Sequence, residues 1–189
     1  MVKIIFAGID EVGRGCLAGP VISCALILKK NINKKFLRDS KTISFNKRIE
    51  IAKYIKKNSW YAIGCATVKE IDKYNIFNAT LLSMERAVKK LKKKPHLFLV
   101  DGTHAPKNLK NSKTVIKGDE KIKCISAASI VAKVYRDLYM IKIGSKFPEY
   151  KWHKNFGYGT WQHLGALKKF GVTNYHRKSY RPVHNILFK

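Results

Sequence analysis

The sequence predicts a mixed β-sheet with helices on its faces, in the α/β or α+β class. Short apolar runs at residues 2–9, 21–28 and 60–68 have the length and composition of strands. After them, stretches with helical periodicity alternate with further short apolar runs. The chain has 189 residues, 46% of them hydrophobic, so we expect a single domain over residues 1–189 with an ordinary core.

The remaining elements follow from periodicity and from helix-ending residues. Residues 45–57 carry apolar positions on one side, with Ser44 as the expected N-cap. The other expected helices cover residues 78–94, 125–143 and 160–170, and the other strands cover residues 97–100 and 114–116. Pro95 and Gly171 follow two of these helices and end them. The continuous apolar run at 97–100 is typical of a central buried strand.

The charge of the chain predicts a polyanionic partner. There are 39 Lys and Arg residues against 12 Asp and Glu, which gives a net charge of +27. Nucleic acid is the first candidate and an anionic membrane the second. A lysine-rich proteome is the alternative source of part of this charge. No stretch approaches the ~20 apolar residues of a membrane span, and no secretory cleavage signal follows the N-terminus, so we expect a cytoplasmic protein without membrane attachment.

Cysteine and histidine spacing gives no sign of a disulfide framework or a zinc site. The four cysteines are far apart and form no C-x-x-C pair, and the six histidines lack zinc-ligand spacing. Buried, reduced thiols are therefore expected.

Acids at three places differ from the solvated ion pairs expected on lysine-rich faces. Asp10 and Glu11 stand at the end of the first expected strand. Asp101 ends the buried run, and Asp119 precedes the long apolar helix. Ligands of open α/β sheets bind at strand ends, and carboxylates that converge there repel one another unless a cation neutralises them.

Hard oxygen ligands of this kind select Mg²⁺ or Mn²⁺. Two such ions held ~4 Å apart by carboxylates are a standard device for phosphodiester hydrolysis. The spacing therefore points to a metal-dependent phosphoryl enzyme. For any single acid, an N-cap or a surface ion pair is the alternative interpretation.

A glycine-rich turn, Gly13-Arg14-Gly15, follows the first pair of acids. Residues 13–18 match the pattern G-x-G-x-x-A, but a dinucleotide fingerprint must open a helix, and here Gly-Pro and a β-branched run follow. The glycines instead allow the main chain to approach a ligand closely, and Arg14 offers a charged fork for phosphate. A tight hairpin turn with one exposed arginine is the alternative.

Further motifs follow these in order along nearly the whole chain. They are AGIDEVGRG (7–15), LAGPV (17–21), DSK (39–41), EID (70–72), VDG (100–102), KGD (117–119), SAASIVAK (126–133), RD (136–137), GYGT (157–160) and HRKSYRPV (176–183). In this the chain closely resembles bacterial ribonuclease HII, the type 2 ribonucleases H.

The resemblance implies a ribonuclease H-like fold: a mixed five-stranded sheet flanked by helices, with a helical, substrate-binding C-terminal portion from about residue 145 to 189. It implies Mg²⁺- or Mn²⁺-dependent cleavage of the RNA strand of RNA/DNA hybrids. It also implies incision on the 5′ side of single ribonucleotides in duplex DNA, leaving 3′-hydroxyl and 5′-phosphate ends, as in ribonucleotide excision repair.

The resemblance also implies roles for individual residues. The catalytic, metal-binding carboxylates fall on Asp10, Glu11, Asp101 and Asp119. Gly13, Arg14 and Gly15 correspond to a turn that contacts the ribose 2′-hydroxyl and the neighbouring phosphate. Tyr158 corresponds to a tyrosine that stacks on the sugar after the ribonucleotide, and Lys41 to a phosphate-contacting lysine.

The partners implied are RNA/DNA hybrid and ribonucleotide-containing duplex DNA, bound by a monomer. The C-terminal tail holds no clear clamp-binding peptide, so a sliding clamp is not indicated. The chain departs from the family pattern at Cys16, where proline is usual, and at Asn155-Phe156, where His-Lys is usual.

Two alternatives remain at this point. One is a basic nucleic-acid-binding protein on the same scaffold without catalysis, against which the four retained carboxylates speak. The other is the sibling ribonuclease HIII, which carries an extra N-terminal domain for which the early first strand leaves no room.

Several further residues carry weaker expectations. Asp137 with Arg136 is interpreted as a structural ion pair or as an orienter of the site. Trp60, Trp152 and Trp161 are expected to pack in the core or against helices. The basic clusters at 89–94 and 176–181 are candidates for gripping phosphates.

Overall fold

The computed structural model describes residues 4–29, 37 and 43–188, and these form one sheet with helices on both faces. The strands are β1 (Phe6–Val12), β2 (Val21–Leu28), β3 (Ser59–Ala66), β4 (Leu97–Asp101) and β5 (Ser112–Val115). Their order in the sheet is β3-β2-β1-β4-β5. The pairs β1–β2 and β2–β3 are antiparallel, whereas β1–β4 and β4–β5 are parallel. The predicted mixed five-stranded sheet is confirmed.

The helices lie between and after the strands. They are α1 (Phe45–Lys57), α2 (Val68–Lys90), α3 (Gly118–Lys121), α4 (Lys123–Gly144), α5 (Trp152–Asn155), α6 (Trp161–Phe170) and α7 (Arg181–Leu187). A 3-10 turn at Pro148–Tyr150 precedes α5, so the C-terminal portion is helical, as predicted. None of the helices in the described ranges has the length and apolar character needed to cross a membrane.

Two hydrophobic cores sandwich the sheet. On one face, Leu26 packs with Ile55 of α1 and Val131 of α4. On the other face, Ile9 packs with Met84 of α2. Alternate residues of β1 therefore face different helices. This alternation turns Gly8 and Asp10 toward α4.

Helix α2 differs from its prediction. It begins directly after β3, whereas the sequence analysis extended a strand to residue 68 and began the helix at residue 78. The start is fixed by a capping box, in which the Glu70 amide donates to the Thr67 hydroxyl (3.3 Å) and the Thr67 amide donates to the Glu70 carboxylate (2.8 Å). A non-helical Asn75, with φ of 64°, divides the helix, and only its second part has the periodicity that the analysis detected.

Other boundaries also moved. Strand β1 runs on to Val12 rather than ending at residue 9, because Val12 still pairs with Ile22 of β2. Both acids of the first motif therefore lie inside the strand. Helix α2 ends at Lys90 rather than at residue 94. Helix α7 had no boundaries of its own in the prediction, although it lies within the helical C-terminal portion that the family resemblance implied.

An aromatic and histidine cluster fills the C-terminal portion. Trp152 is fully buried, as predicted, and its indole N–H donates to His163 Nε2 (3.0 Å). His176 Nδ1 accepts from the Thr173 amide (3.0 Å), so its Nε2–H donates to His163 Nε2 (3.0 Å). His163 Nδ1–H then donates to the Tyr158 carbonyl (2.9 Å). Every role in this network requires both imidazoles to be neutral.

We expect Gly8→Ala to destabilise the protein by about 3 kcal/mol, as overpacking does when backbone must move. A Cβ on Gly8 would collide with the main chain of Cys124 and Ile125 at the start of α4. Gly165→Ala in α6 is the matched control, because nothing lies within 4 Å of its added Cβ. Urea unfolding should show Gly165→Ala to be neutral or stabilising, and equal destabilisation by both variants would contradict this packing.

The buried histidines predict a pH-dependent stability difference. Burial, reinforced by the neighbouring His163, lowers the pKa of His176 to about 3. The folded state therefore takes up this proton only near pH 3, whereas the unfolded chain takes it up near pH 6.5, so stability is lost as pH falls below about 6.5.

The variant His176→Gln has no imidazole at this position and so does not lose stability through its protonation as pH falls. We expect wild type to exceed His176→Gln in free energy of unfolding at pH 7.5, and this gap to narrow by about 1 kcal/mol at pH 5.5. Urea unfolding at the two pH values measures it. A gap that stays constant would show that His176 has the same pKa in the folded and unfolded states, which contradicts the lowering of its pKa by burial.

Candidate active site

The parallel pairing of β1 with β4 brings two distant carboxylates together. Ile9 lies opposite Val100 in the register, so the next residues, Asp10 and Asp101, are neighbours on the same face of the sheet. Asp10 is only 5% exposed. The Ser129 hydroxyl of α4 donates a hydrogen bond to its carboxylate, and the Glu11 amide donates another (2.7 Å).

Helix α3 brings the fourth acid to the same place. Lys117 adopts a left-handed conformation with φ of 54°, which turns the chain into α3. The amides of Gly118 (2.7 Å) and Asp119 (3.3 Å) both donate to Asp101 Oδ1. Asp101 is thus fixed by the backbone that carries Asp119. Asp119 was expected at the entry to the long helix. It belongs instead to the separate short helix α3, which directly precedes that helix.

All four predicted carboxylates line one pocket of about 420 Å³. Its lining is Asp10, Glu11, Val12, Arg48, Asp101, Asp119, Ser129, Ile130, Lys133 and Tyr158. Residues from β1, β4, α1, α3, α4 and the C-terminal portion therefore meet at one concave surface. Among the residues of this pocket, Arg48, Ser129 and Lys133 were given no role by the sequence analysis.

The pocket disfavours negative charge as it stands. Burial, followed by repulsion from Glu11 and Asp101, raises the pKa of Asp10 well above its usual value, while the Ser129 hydrogen bond opposes the rise. Burial also raises the pKa of Glu11, against the opposing effect of Arg14. Converging buried carboxylates of this kind call for a cation.

The donor chemistry fits a hard divalent ion. The four side chains offer only carboxylate oxygens, which suit Mg²⁺ or Mn²⁺. In the described part of the chain, Glu11 Oε2 is buried with no hydrogen-bond partner, so it is free to accept a ligand bond. Within the same residues, no three His, Cys, Asp or Glu side chains stand as a preformed metal cage. The acids therefore share a pocket without forming a preformed cage.

Two buried arginines hold the glycine turn beside this pocket. Arg177 donates to the carbonyls of Gly13 (2.6 Å), Arg14 (2.8 Å) and Gly19 (3.0 Å). Arg136 donates to the carbonyls of Ala18, Pro20 and Phe156 at 2.8–2.9 Å. Arg177 therefore holds the carbonyls of the turn itself, whereas Arg136 packs against Gly13 and holds the residues that follow the turn.

The outward side of the turn carries its charge. The Arg14 guanidinium is half exposed and lies 3.2 Å from Glu11 Oε1. Gly13 has φ of 93°, which favours glycine, and Gly15 has open space around its Cα. The expected turn is present, with an exposed arginine, next to the acids.

Tyr158 reaches the pocket from the C-terminal portion. The Leu17 amide donates to the carbonyl of Gly157 (2.8 Å), and Cys16 pairs with Tyr158 in an isolated β-bridge. Buried Asn155 accepts from the Gly157 amide (2.9 Å) and so orders this segment. The departures from the family pattern at Cys16 and Asn155 thus lie where the glycine turn and the Tyr158 segment meet.

Two cationic side chains, Lys133 and Arg48, lie near Tyr158 and share buried Asp137. The Lys133 ammonium lies 5.7 Å from the centre of the Tyr158 ring and 4.9 Å from that of Phe156. It forms an ion pair with buried Asp137 (2.8 Å), and Arg48 lies 3.9 Å from the same carboxylate. Asp137 thus forms a structural ion pair, as expected, but with Lys133 rather than with Arg136.

The expectation for the basic cluster at 176–181 needs correction, and the one for Lys41 concerns a residue outside the described ranges. The 176–181 cluster was a candidate phosphate grip, but His176 and Arg177 are fully buried and act inside the fold. Only exposed members such as Lys178 and Arg181 remain available to a phosphate. Lys41, with the rest of its DSK motif, lies outside the described residues. Ser129 and Lys133 could have been found from the sequence, because their i, i+4 spacing with Asp137 places all three on one face of the helix.

Comparison with known proteins places this site in a family. The family model described as Ribonuclease HII matches residues 7–184. A curated protein named Ribonuclease HII from Pelagibacter ubique (strain HTCC1062) is 56% identical over 185 residues, which are 97% of this chain and 99% of that protein.

Solved structures agree on the fold. The ribonuclease H2 from Pyrococcus horikoshii OT3 superposes with a TM-score of 0.82 at 24% identity, with 97% of each chain covered. Bst-RNase HIII, solved in complex with Mn²⁺, superposes with a TM-score of 0.72 at 13% identity, over 98% of this chain and 70% of that one. Because the family model and a relative 56% identical both span nearly the whole chain, the protein belongs to the ribonuclease HII family of nucleases.

Proposed function

We propose that the protein is a divalent-metal-dependent endoribonuclease. It hydrolyses the RNA strand of RNA/DNA hybrids and incises duplex DNA on the 5′ side of single embedded ribonucleotides, leaving 3′-hydroxyl and 5′-phosphate ends. The observation that carries the proposal is the convergence of four carboxylates, the glycine turn and Tyr158 on one pocket. Family membership supports the nuclease class.

The metal ligands in this proposal are Asp10, Glu11, Asp101 and Asp119. Mg²⁺ or Mn²⁺ held by them would activate the attacking water and stabilise the leaving oxygen of the phosphodiester. The chain's own residues prepare this arrangement. Backbone amides orient Asp101, and Ser129 orients Asp10.

Recognition of RNA rests on the turn. A protein distinguishes RNA from DNA at one nucleotide through the ribose 2′-hydroxyl. In this proposal the main chain of Gly13, Arg14 and Gly15 meets that hydroxyl, since the two glycines carry no side chain that would block the approach. The guanidinium of Arg14 meets the neighbouring phosphate. Tyr158 stacks on the next sugar, and Lys133 beneath it adds positive charge for the phosphodiester backbone.

Loss of one metal ligand should abolish incision but spare binding. We expect Asp10→Asn to lower kcat by about 10³-fold on a duplex with one ribonucleotide, because metal stabilisation amounts to several kcal/mol and each 1.4 kcal/mol is tenfold. Gel-resolved cleavage with Mg²⁺ and with Mn²⁺ measures it.

Glu50→Gln is the matched control, since Glu50 lies on the surface of α1 and pairs only with Lys47 (3.1 Å) in the described structure. It should cleave as wild type does. Equal cleavage by wild type and Asp10→Asn would contradict the metal-ligand role of Asp10. A wild type that binds in a salt-sensitive way without cleaving would favour the non-catalytic binding protein instead.

The ring of Tyr158, rather than its hydroxyl, should matter to the reaction. We expect Tyr158→Ala to lower kcat/KM on the single-ribonucleotide duplex by about 10- to 100-fold, in the range of one lost stacking contact. Tyr158→Phe should stay within about threefold of wild type, because it keeps the ring. If Phe is as damaging as Ala, the tyrosine acts through its hydroxyl and the stacking role is wrong.

A further inference from the structure

Trp161 is the most exposed large hydrophobic side chain in the described structure. It is 80% exposed, whereas Trp152 is buried and Trp60 is 42% exposed. The expectation that the tryptophans pack in the core or against helices is therefore wrong for Trp161, and Trp60 is partly exposed on β3. Lys29 covers Trp60, 5.3 Å from its ring centre. Across the described ranges, no ring, cation or hydrogen-bond partner is recorded for the Trp161 indole.

The backbone around Trp161 is held firmly despite this exposure. Trp161 opens α6, and the N-cap Thr160 accepts from the His163 amide (3.3 Å). The Thr160 amide and the His163 ring both donate to the carbonyl of Tyr158, at 2.8 and 2.9 Å. The residues on both sides of Trp161 are thus tied to Tyr158. An exposed indole on an ordered helix start is presented at a defined place.

That place is close to the pocket. Trp161 is three residues after Tyr158, so their Cα atoms are at most ~11 Å apart. Successive nucleotides of a duplex strand advance ~3.4 Å along the helix axis. A separation of at most ~11 Å corresponds to about three nucleotide steps, so Trp161 lies within a few nucleotide lengths of a sugar bound at Tyr158.

The charge of the surroundings selects the occupant. Residues 150–189 contain no Asp or Glu. The lysines on either side of Trp161 are exposed, namely Lys151, Lys154, Lys168 and Lys169. A basic segment that carries exposed aromatic rings fits an anionic polymer that also has stacking faces, which is nucleic acid.

We propose that Trp161 is a second aromatic contact for the nucleic acid, outside the catalytic pocket, with its indole packed on a sugar or base within a few nucleotides of the one at Tyr158. This inference rests on the proposed function for the identity of the duplex. It assigns Trp161 to affinity and positioning and not to the chemical step.

The test measures the Kd for a fluorescently labelled duplex with one ribonucleotide, in an Asp10→Asn background that prevents cleavage. Adding Trp161→Ala should raise Kd about tenfold, and adding Trp161→Phe should raise it less, as expected for an aromatic contact. Trp60→Ala is the matched control, an exposed tryptophan on edge strand β3, and should leave Kd within about twofold. An unchanged Kd with Trp161→Ala overturns the proposal.

Salt distinguishes an aromatic contact from a general loss of charge or fold. The ratio of Kd between Trp161→Ala and its parent should stay constant between 50 and 200 mM salt, because no phosphate contact is lost. The thermal midpoint of Trp161→Ala should equal that of its parent. A ratio that collapses at high salt, or a lowered midpoint, contradicts direct contact.

Cleavage by Trp161→Ala with Asp10 intact separates this inference from the proposed function. If wild type cleaves the duplex and Trp161→Ala binds and cleaves equally well, the contact is refuted and the nuclease function stands. If wild type cleaves no ribonucleotide-containing duplex, the proposed function fails whatever the binding data show.

Discussion

Two guanidiniums without carboxylate partners join the glycine turn to the C-terminal portion of the molecule. Arg136 and Arg177 are fully buried, and within the described ranges neither forms an ion pair. Burial lowers the pKa of Arg177, which is the sign of a charge removed from water. Main-chain carbonyls of the turn and of the Tyr158 segment replace that water. Because an unsatisfied buried charge costs several kcal/mol, the turn and the C-terminal portion must keep these oxygens in place.

Local chemistry made much of the fold and part of the site predictable. The apolar runs of β2 and β4 and the periodicity of α1 and α6 are properties of short windows, and all four elements appear near their expected bounds. Asp10 and Asp101 stood out because each follows an apolar run in a basic chain. Their adjacency depends on the parallel pairing of β1 with β4, and no window of sequence contains that pairing.

The misses have separate physical causes. The capping box of Thr67 and Glu70 is visible in the sequence, but the preceding apolar run favoured the prediction of a strand up to residue 68. The burial of His176 and Arg177 could not be predicted from the sequence, because a basic motif is expected on the surface until its carbonyl and imidazole partners are known. The exposure of Trp161 is likewise a tertiary property, since the same residue type is buried at Trp152.

The short segment from Gly118 to Cys124 is anchored at both ends. Its first amide is bound by Asp101 on β4, and its last residue rests against Gly8 on β1, where a side chain has no room. The strands are neighbours in fixed register, so the number of residues between these anchors is set by the sheet. Insertion or deletion of a single residue here would displace either Asp119 or the first turn of α4, which leads to Ser129. The length of this connection is therefore constrained by the two strands that anchor its ends.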